Sequence, residues 1–472
     1  MNIMDTMERF IDRMLTPQIK SADVGYSVLT TLSSEAIVCA HSDANRVCIS
    51  EGSASVFAVS QEAAEQGLKY IRQLQILFDG SVPVCEFEYY SPSFSYRGFL
   101  IDVCRHFMPV NEILRIVDIM SLIGFNVFHW HLTDDQAWRF SVPGYPLLKK
   151  ISSVRKNDEY INYPFEMEGF YSDKDIRTVV SFCTEHGVTV VPEIETPGHA
   201  TALLAAYPEF GCTGKKIEVQ TKWGIFKDVL NPASPELWTF LDKAFAKLSR
   251  FFPGPYIHIG GDECPHVQWK DNPQCRALMK KEKIRSLDEL QGWFTSKAAS
   301  LVAKYKKRAI GWDEVVDAPS IDKNVVVMSW RGLNGARVAS SRGHNVILCP
   351  QQGLYFDKGY TADSYEPQQW GHFSVKDTFS VDLGMKDLPQ EQRKLILGAQ
   401  CNIWTELLHN GREIEYMMFP RSFALADSMY LGDRKNWERC LARRDSIARL
   451  CWKMNIVCSP VRWEDSQAGG ML

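Results

Sequence analysis

Asp262 and Glu263 follow two glycines in the run His258-Ile-Gly-Gly-Asp262-Glu263, and adjacent carboxylates invite acid–base chemistry. A carboxyl pair that flanks a glycosidic bond stands ~5–5.5 Å apart in a retaining hydrolase and ~6.5–9.5 Å apart in an inverting one. Neighbouring residues at a strand end do not bracket a bond in that way. One of them can protonate a leaving oxygen while the other holds a nucleophile supplied by something else. A substrate's own 2-acetamido oxygen is the obvious candidate. The two glycines let backbone and ligand approach closely.

Seven further clusters carry the same mixture of types: Asp102 with Arg105-His106, His129-Trp130-His131 with Asp134-Asp135, Glu193-Ile-Glu195 with His199, Trp312-Asp313-Glu314, Trp330-Arg331, Tyr355-Phe-Asp357 and Trp404-Thr-Glu406. Carboxylates, Arg and Trp together describe a sugar site, where acids bind hydroxyls and indoles stack on pyranose rings. Several members have plainer readings. Asp313 and Glu314 read as a solvated loop or helix cap, and Asp102 as the structural partner of an Arg or a backbone donor. Arg105 could close a barrel-end salt bridge, Trp330 could be simple packing, and Trp138 lines the rim or packs its own loop. His129-x-His131 admits a metal reading, since alternate strand residues share a face and hydrolases use such pairs as ligands. The rival functions are therefore a metal-dependent amidohydrolase and a sugar-binding protein without turnover. No further set of His and Lys ligands supports the first, so neither metal nor cofactor is expected.

These clusters need elements to hold them. Apolar runs suited to buried strands cover 98–103, 126–132, 188–193, 256–260, 308–312, 325–329, 345–349 and 397–403, with helix-like segments at 111–123, 173–186, 235–251 and 287–305. Continuous apolar runs alternating with helices imply a parallel sheet, and eight in succession suggest a (β/α)8 TIM barrel. Each cluster then falls at the C-terminal end of a strand, where such barrels place their active sites. Residues 1–93 have a different rhythm, with short β-prone runs over 26–60 and a helix from Gln61 to Leu77, and read as a small α+β domain ahead of a barrel over 94–472. The loops 136–169 and 354–393 are too long for plain connectors.

A net charge of −4 argues against nucleic acid, and 45% hydrophobic with 23% charged residues fits an ordinary globular protein. No apolar run approaches the ~18 residues of a membrane span. The first fifteen residues lack a signal-peptide pattern and read as an amphipathic helix carrying Ile3, Met7, Phe10, Ile11 and Leu15. Thirteen Cys without zinc spacing suit reduced thiols, so a cytoplasmic setting is expected.

In order, the segments DVCRH, HWHLTDDQAW, VVPEIETPGH, HIGGDE, GWDEV, YFD and NIWTE resemble glycoside hydrolase family 20, the β-N-acetylhexosaminidases. The resemblance covers the barrel and extends to the small domain before it. It implies an exo-acting enzyme that removes terminal β-linked GlcNAc or GalNAc from a small oligosaccharide or glycoconjugate. Release of a disaccharide such as lacto-N-biose is the alternative within the family, and a homodimer is as compatible as a monomer. Carried over by position, Glu263 is the general acid and base, and Asp262 orients the acetamido group. Tyr355 donates to the acetamido oxygen, Arg105 clamps O3 and O4, and Asp357 and Glu406 bind toward O4 and O6. Trp312, Trp330 and Trp404 wall the pocket, while Asp134, Glu195 and His199 form a supporting shell. Glu195 stands where relatives carry Asp. Glu263 is expected to have a pKa raised by burial and nearby carboxylates, and Asp262 to stay ionised.

Overall fold

The computed structural model describes residues 19–29, 33–38, 44–50, 52–79, 82–156, 166–318, 321–362, 366–368, 370–460 and 463, with the side chains described from residue 44 onward apart from Pro83. The expected N-terminal amphipathic helix lies outside these residues.

Five strands, β1 (Ile19–Leu29), β2 (Ser33–Val38), β3 (Asn45–Ser50), β4 (Ser53–Ala58) and β5 (Val82–Tyr89), form one sheet in the order β1-β5-β3-β4-β2. All its pairings are antiparallel except β2 with β4. Helix α1 (Gln61–Leu77), capped by the Ser60 hydroxyl, covers one face. The sequence reading missed β5. Its residues alternate inward Val82, Cys85, Phe87 and Tyr89 with outward acids, but Pro83 breaks the pattern near its start. Proline is tolerated where a strand begins, because few ladder bonds are lost there.

The second body is a closed parallel barrel of β6 (Tyr96–Asp102), β7 (Val127–His131), β8 (Thr189–Glu193), β9 (Tyr256–His258), β10 (Arg308–Trp312), β11 (Val326–Ser329), β12 (Val346–Leu348) and β13 (Ile396–Ile403). Every expected strand is present, with ends shifted by one or two residues. The main outer helices are α2 (Val110–Leu122), α3 (Asp173–Glu185), α4 (Pro235–Phe251), α5 (Leu287–Lys304), α6 (Leu333–Ser341) and α7 (Arg421–Leu431). Among the described residues between β10 and β11 the chain makes one 3-10 turn, Asp313–Val316. That turn is a correction to the expected solvated loop: Asp313 is fully buried and bonded to Ser329 Oγ and Arg331 Nε.

Strand parity sorts the barrel into two apolar layers. Phe99, Phe128, Val190, Ile257 and Val327 point outward into the main core beneath the helices. Leu100, Val127, Val191, Ile310, Val326 and Ile347 point inward and fill the barrel. The same inward parity, continued to the strand ends, replaces aliphatics by Asp102, His129, His131, Glu193 and Trp312. Side chains alternate with period two, so this change of composition along one parity builds a polar floor.

Helix α1 joins the two bodies. Arg97 at the N-terminal end of β6 pairs with Glu62 at 2.7 Å, Gln73 donates to the Leu122 carbonyl at 2.9 Å, and Arg72 pairs with Asp118. These contacts lie at the barrel's side and bottom, away from the C-terminal strand ends. The loop 136–169 packs through Trp138, which is 2% exposed, stacks on Phe140 and contacts Phe240, so this indole fills the loop and does not line the site.

Candidate active site

A cavity of about 410 Å³ opens at the C-terminal mouth of the barrel. Its wall includes Arg105, Asp134, Glu195, His199, Asp262, Glu263, Trp330, Tyr355, Asp357, Trp404 and Glu406, so eleven of the twelve expected site residues meet there. Trp312 is the exception. It is 1% exposed, its indole N–H donates to Glu193 Oε1 at 2.9 Å, and its ring lies 6.0 Å from that of Trp404. It backs the pocket from one layer below, as its inward place on β10 dictates.

Asp262 and Glu263 sit on a strained turn. Gly260 and Gly261 have φ of 71° and 110°, and Glu263 itself has φ of 42°, a left-handed conformation that a non-glycine residue adopts at a cost. A Cβ at Gly260 would lie 2.1 Å from Glu195 Oε2, so glycine is required there. The turn buries Asp262, whose side chain is 13% exposed, and leaves Glu263 33% exposed at the mouth. The expected deep burial therefore falls on Asp262. Burial, opposed by His199 and reinforced by the charge of Glu263, pushes Asp262 up to about 6. It is mostly ionised above that pH.

His199 bridges this pair to the rest of the floor. Its Nε2 lies 3.6 Å from Asp262 Oδ2 and 3.5 Å from Glu263 Oε2. Its Nδ1 lies 3.1 Å from Asp135 Oδ2 and 3.3 Å from Asp134 Oδ1. Burial disfavours its charge, but Asp134 and the surrounding acids outweigh that and hold its pKa well above the ordinary value. Glu195 lies in the same wall, under the charges of Asp262, Glu193 and His199. Its backbone N–H is tied to Thr133 Oγ1, and its Oε2 is buried without a hydrogen-bond partner. Burial and the charge of Asp262 raise its pKa well above the carboxylate range. The acid that supports His199 beside Asp134 is Asp135, a residue the sequence reading quoted but gave no role.

Arg105 is fixed from three sides, by Asp102 at 3.2 Å, Asp134 at 2.9 Å and Gln136 at 3.0 Å, and its guanidinium lies 5.2 Å from the Trp404 ring centroid. Asp102 also accepts from the backbone of Cys104 and Thr405, which makes it a structural anchor. Trp330 stacks on Tyr355 with centroids 6.1 Å apart, and its N–H donates to Glu314 Oε2 at 3.0 Å. Glu314 thus braces an indole of the site wall and is largely buried, against the solvated reading. Burial and the charge of Asp262 push it up to about 8. Burial with Glu406 nearby does the same to Asp357, also to about 8.

Four carboxylate oxygens in this wall are buried without a hydrogen-bond partner: Asp262 Oδ1, Asp357 Oδ1, Glu406 Oε2 and Glu195 Oε2. Buried acceptors left unmade are costly. His131, by contrast, has both ring nitrogens facing carboxylates, Glu193 and Asp134. Two rim aromatics escaped the sequence reading. Trp223 and Trp370, which also line the cavity, meet edge to face at 4.9 Å, and Trp370 is 69% exposed. A lone Trp in each of two long polar connections was the available signal.

Residues 94–432 match the sequence profile of glycosyl hydrolase family 20, catalytic domain. The chain belongs to this family. It is 34% identical over 415 residues to the beta-hexosaminidase of Porphyromonas gingivalis, covering 86% of this chain and 52% of that protein. The chain thus spans about half the length of that relative. It is 31% identical over 458 residues to the beta-hexosaminidase of Akkermansia muciniphila, covering 93% of this chain and 91% of that one. Among solved structures, the family 20 exo-beta-N-acetylglucosaminidase of Vibrio harveyi in complex with N-acetylglucosamine superposes with a TM-score of 0.84 at 26% identity, over 95% of this chain and 78% of that one. The family 20 barrel described above is common to both structures.

Proposed function

We propose that the chain is an exo-β-N-acetylhexosaminidase that removes terminal β-linked GlcNAc or GalNAc by substrate-assisted, retaining hydrolysis. The observation that carries this reading is the pairing of adjacent Asp262 and Glu263 with unpartnered acceptors at Asp262, Asp357 and Glu406 in one cavity. Those acceptors match the hydroxyl and N–H donors of a single acetamido sugar. Glu263, at the mouth, protonates the glycosidic oxygen as it leaves. The acetamido oxygen attacks the anomeric carbon and closes an oxazolinium ring, while Asp262 Oδ1 accepts the acetamido N–H and offsets the positive charge. Glu263 then takes a proton from water as that water opens the ring. An attached nucleophile removes much of the entropy cost of bringing one to the carbon. Tyr355, backed by Trp330, stands to donate to the acetamido oxygen, and Arg105, Asp357 and Glu406 close the far end around the ring hydroxyls. The closed end favours one terminal sugar over a released disaccharide. A reducing compartment such as the cytoplasm belongs to the same proposal, on the twelve cysteines among the described residues that are all free, and a thiol titration of the native protein checks it.

The deciding experiment is a panel of aryl β-glycosides of N-acetylglucosamine, N-acetylgalactosamine, glucose and galactose. Turnover confined to the two acetamido sugars supports the reading, and turnover of the plain glycosides at equal rates removes the substrate-assisted step. A thiazoline analogue of the cyclised intermediate should inhibit at least ~100-fold better than N-acetylglucosamine, as transition-state-like ligands do.

A further inference from the structure

Glu193 ends β8 at the barrel axis, fully buried one layer beneath the pocket, and the proposed chemistry does not use it. An ionised carboxylate has about four lone-pair sites, and four nitrogen-bearing rings surround this one. Trp312 Nε1 donates to Oε1 at 2.9 Å, and His258 Nδ1 lies 2.7 Å from the same oxygen. His129 Nε2 lies 3.1 Å from Oε2, and His131 Nδ1 donates to that oxygen as well. The rings come from β7, β9 and β10, so one carboxylate gathers the inward side chains of three strands.

Two of these contacts lead up to the pocket. Trp312 backs Trp404, over which the Arg105 guanidinium lies. His131 donates from its other nitrogen to Asp134 Oδ2 at 2.9 Å. That oxygen lies 2.9 Å from Arg105 Nη2, and the second oxygen of Asp134 lies 3.3 Å from His199 Nδ1. We propose that Glu193 is a positioning residue for the hydrolysis: through Trp312 it sets the back of the pocket, and through a doubly protonated His131 it holds Asp134 between Arg105 and His199. This inference rests on the hydrolase reading above. Burial opposes a charge on His131, but Glu193 and Asp134 outweigh it and raise its pKa to about 10. The other groups facing His131 are Glu195 at 3.9 Å, Asp102 from β6 and His129 from its own strand. An amide at position 193 would keep one acceptor oxygen and turn its N–H toward either the Trp312 or the His131 donor, depending on which oxygen it replaces.

The wild-type protein is assayed first on the aryl N-acetylglucosaminide, and its failure there would count against the hydrolase reading alone. Given an active wild type, Glu193→Gln should lower kcat by ~100-fold, the order expected when reacting groups are misplaced by about 1 Å, with a smaller change in KM. With histidine labelled in nitrogen-15, the variant should also lose one doubly protonated imidazole at about pH 8.5, two units above the ordinary histidine value. Unchanged kcat overturns the proposal. So does a fall in kcat with the imidazolium retained, since a loosened pocket would do that without His131. If the variant does not fold, the wild-type spectrum decides. His131 and His199 each have carboxylates at both nitrogens, so at least two imidazolium rings should persist at that pH, and fewer than two overturns the proposal.

Discussion

Asp262 and Glu263 are neighbours in sequence, yet the turn that carries them gives them different surroundings, and their roles follow from that. Glu263 faces the mouth, where a leaving group must pass. Glu263→Gln should lower kcat by ~100- to 10,000-fold on a substrate with a poor leaving group, the usual worth of a general acid. An aryl substrate with an acidic phenol should suffer least, and N-acetylglucosamine should bind nearly as before. Equal losses across leaving groups would mean that Glu263 does not protonate them. Asp262 is raised by burial to about 6, and in the proposed mechanism its ionised form accepts the acetamido N–H. Activity should therefore rise with pH through about 6 in kcat/KM, which reports the free enzyme. Asp262→Asn should remove that limb and lower kcat by ~100- to 1,000-fold. A limb that survives the substitution would belong to another group.

At the scale of elements, the barrel supplies rigid positions and the loops supply the rim. Trp370, 69% exposed and set against Trp223, cannot be a core residue. Its indole lines the cavity beside Trp223 with most of its surface open to solvent, a place from which it can meet the remainder of an oligosaccharide. Trp370→Ala should raise KM for a β-linked oligosaccharide by ~5- to 20-fold, consistent with the ~1–2 kcal/mol of a lost aromatic contact. KM for an N-acetylglucosaminide with a small aglycone should change less than twofold, and an equal rise for both would place Trp370 in the sugar pocket itself. Such rim residues were not legible in sequence, because a single Trp in a polar connection has no periodicity to place it. The strand-end residues were legible because each ends an apolar run whose length fixes where the mouth must be. Glu195 and Trp312 show the limit of that reasoning. Sequence places both at strand ends, but only coordinates show that Trp312 lies beneath the floor and that Glu195 turns its carboxylate toward Gly260. Glu193 was hidden by similar company: it shares the inward parity of Val191, and nothing in its spacing announces four nitrogen neighbours.

For the whole molecule, a pocket full of buried carboxylates sets how stability follows pH. Asp262 is raised to about 6, and Asp357 and Glu314 to about 8, each chiefly by burial. In the unfolded chain these groups titrate near 3.9 for Asp and 4.3 for Glu. Between those values and their folded ones, the folded state holds more protons, so stability falls as pH rises from about 4 to about 8. His131 acts in the same direction at higher pH. Its pKa of about 10 against an ordinary ~6.5 means that its stabilising charge is complete below ~6.5 and lost as pH rises toward 10. Asp134 and Glu193 are held well below the carboxylate range despite their burial. Their contribution is present above about pH 4 and is lost only below it. The melting temperature should therefore drop between about pH 5.5 and about pH 8.5, and Glu314→Gln with Asp357→Asn should flatten that drop. Hydroxyl donors from a bound sugar favour the ionised form of Asp357, so saturating N-acetylglucosamine should raise the melting temperature more at the alkaline end than at the acid end. A melting temperature that rises with pH in the free protein would mean that the pocket carboxylates are ionised and satisfied without a ligand, which contradicts the unpartnered oxygens on which the functional proposal depends.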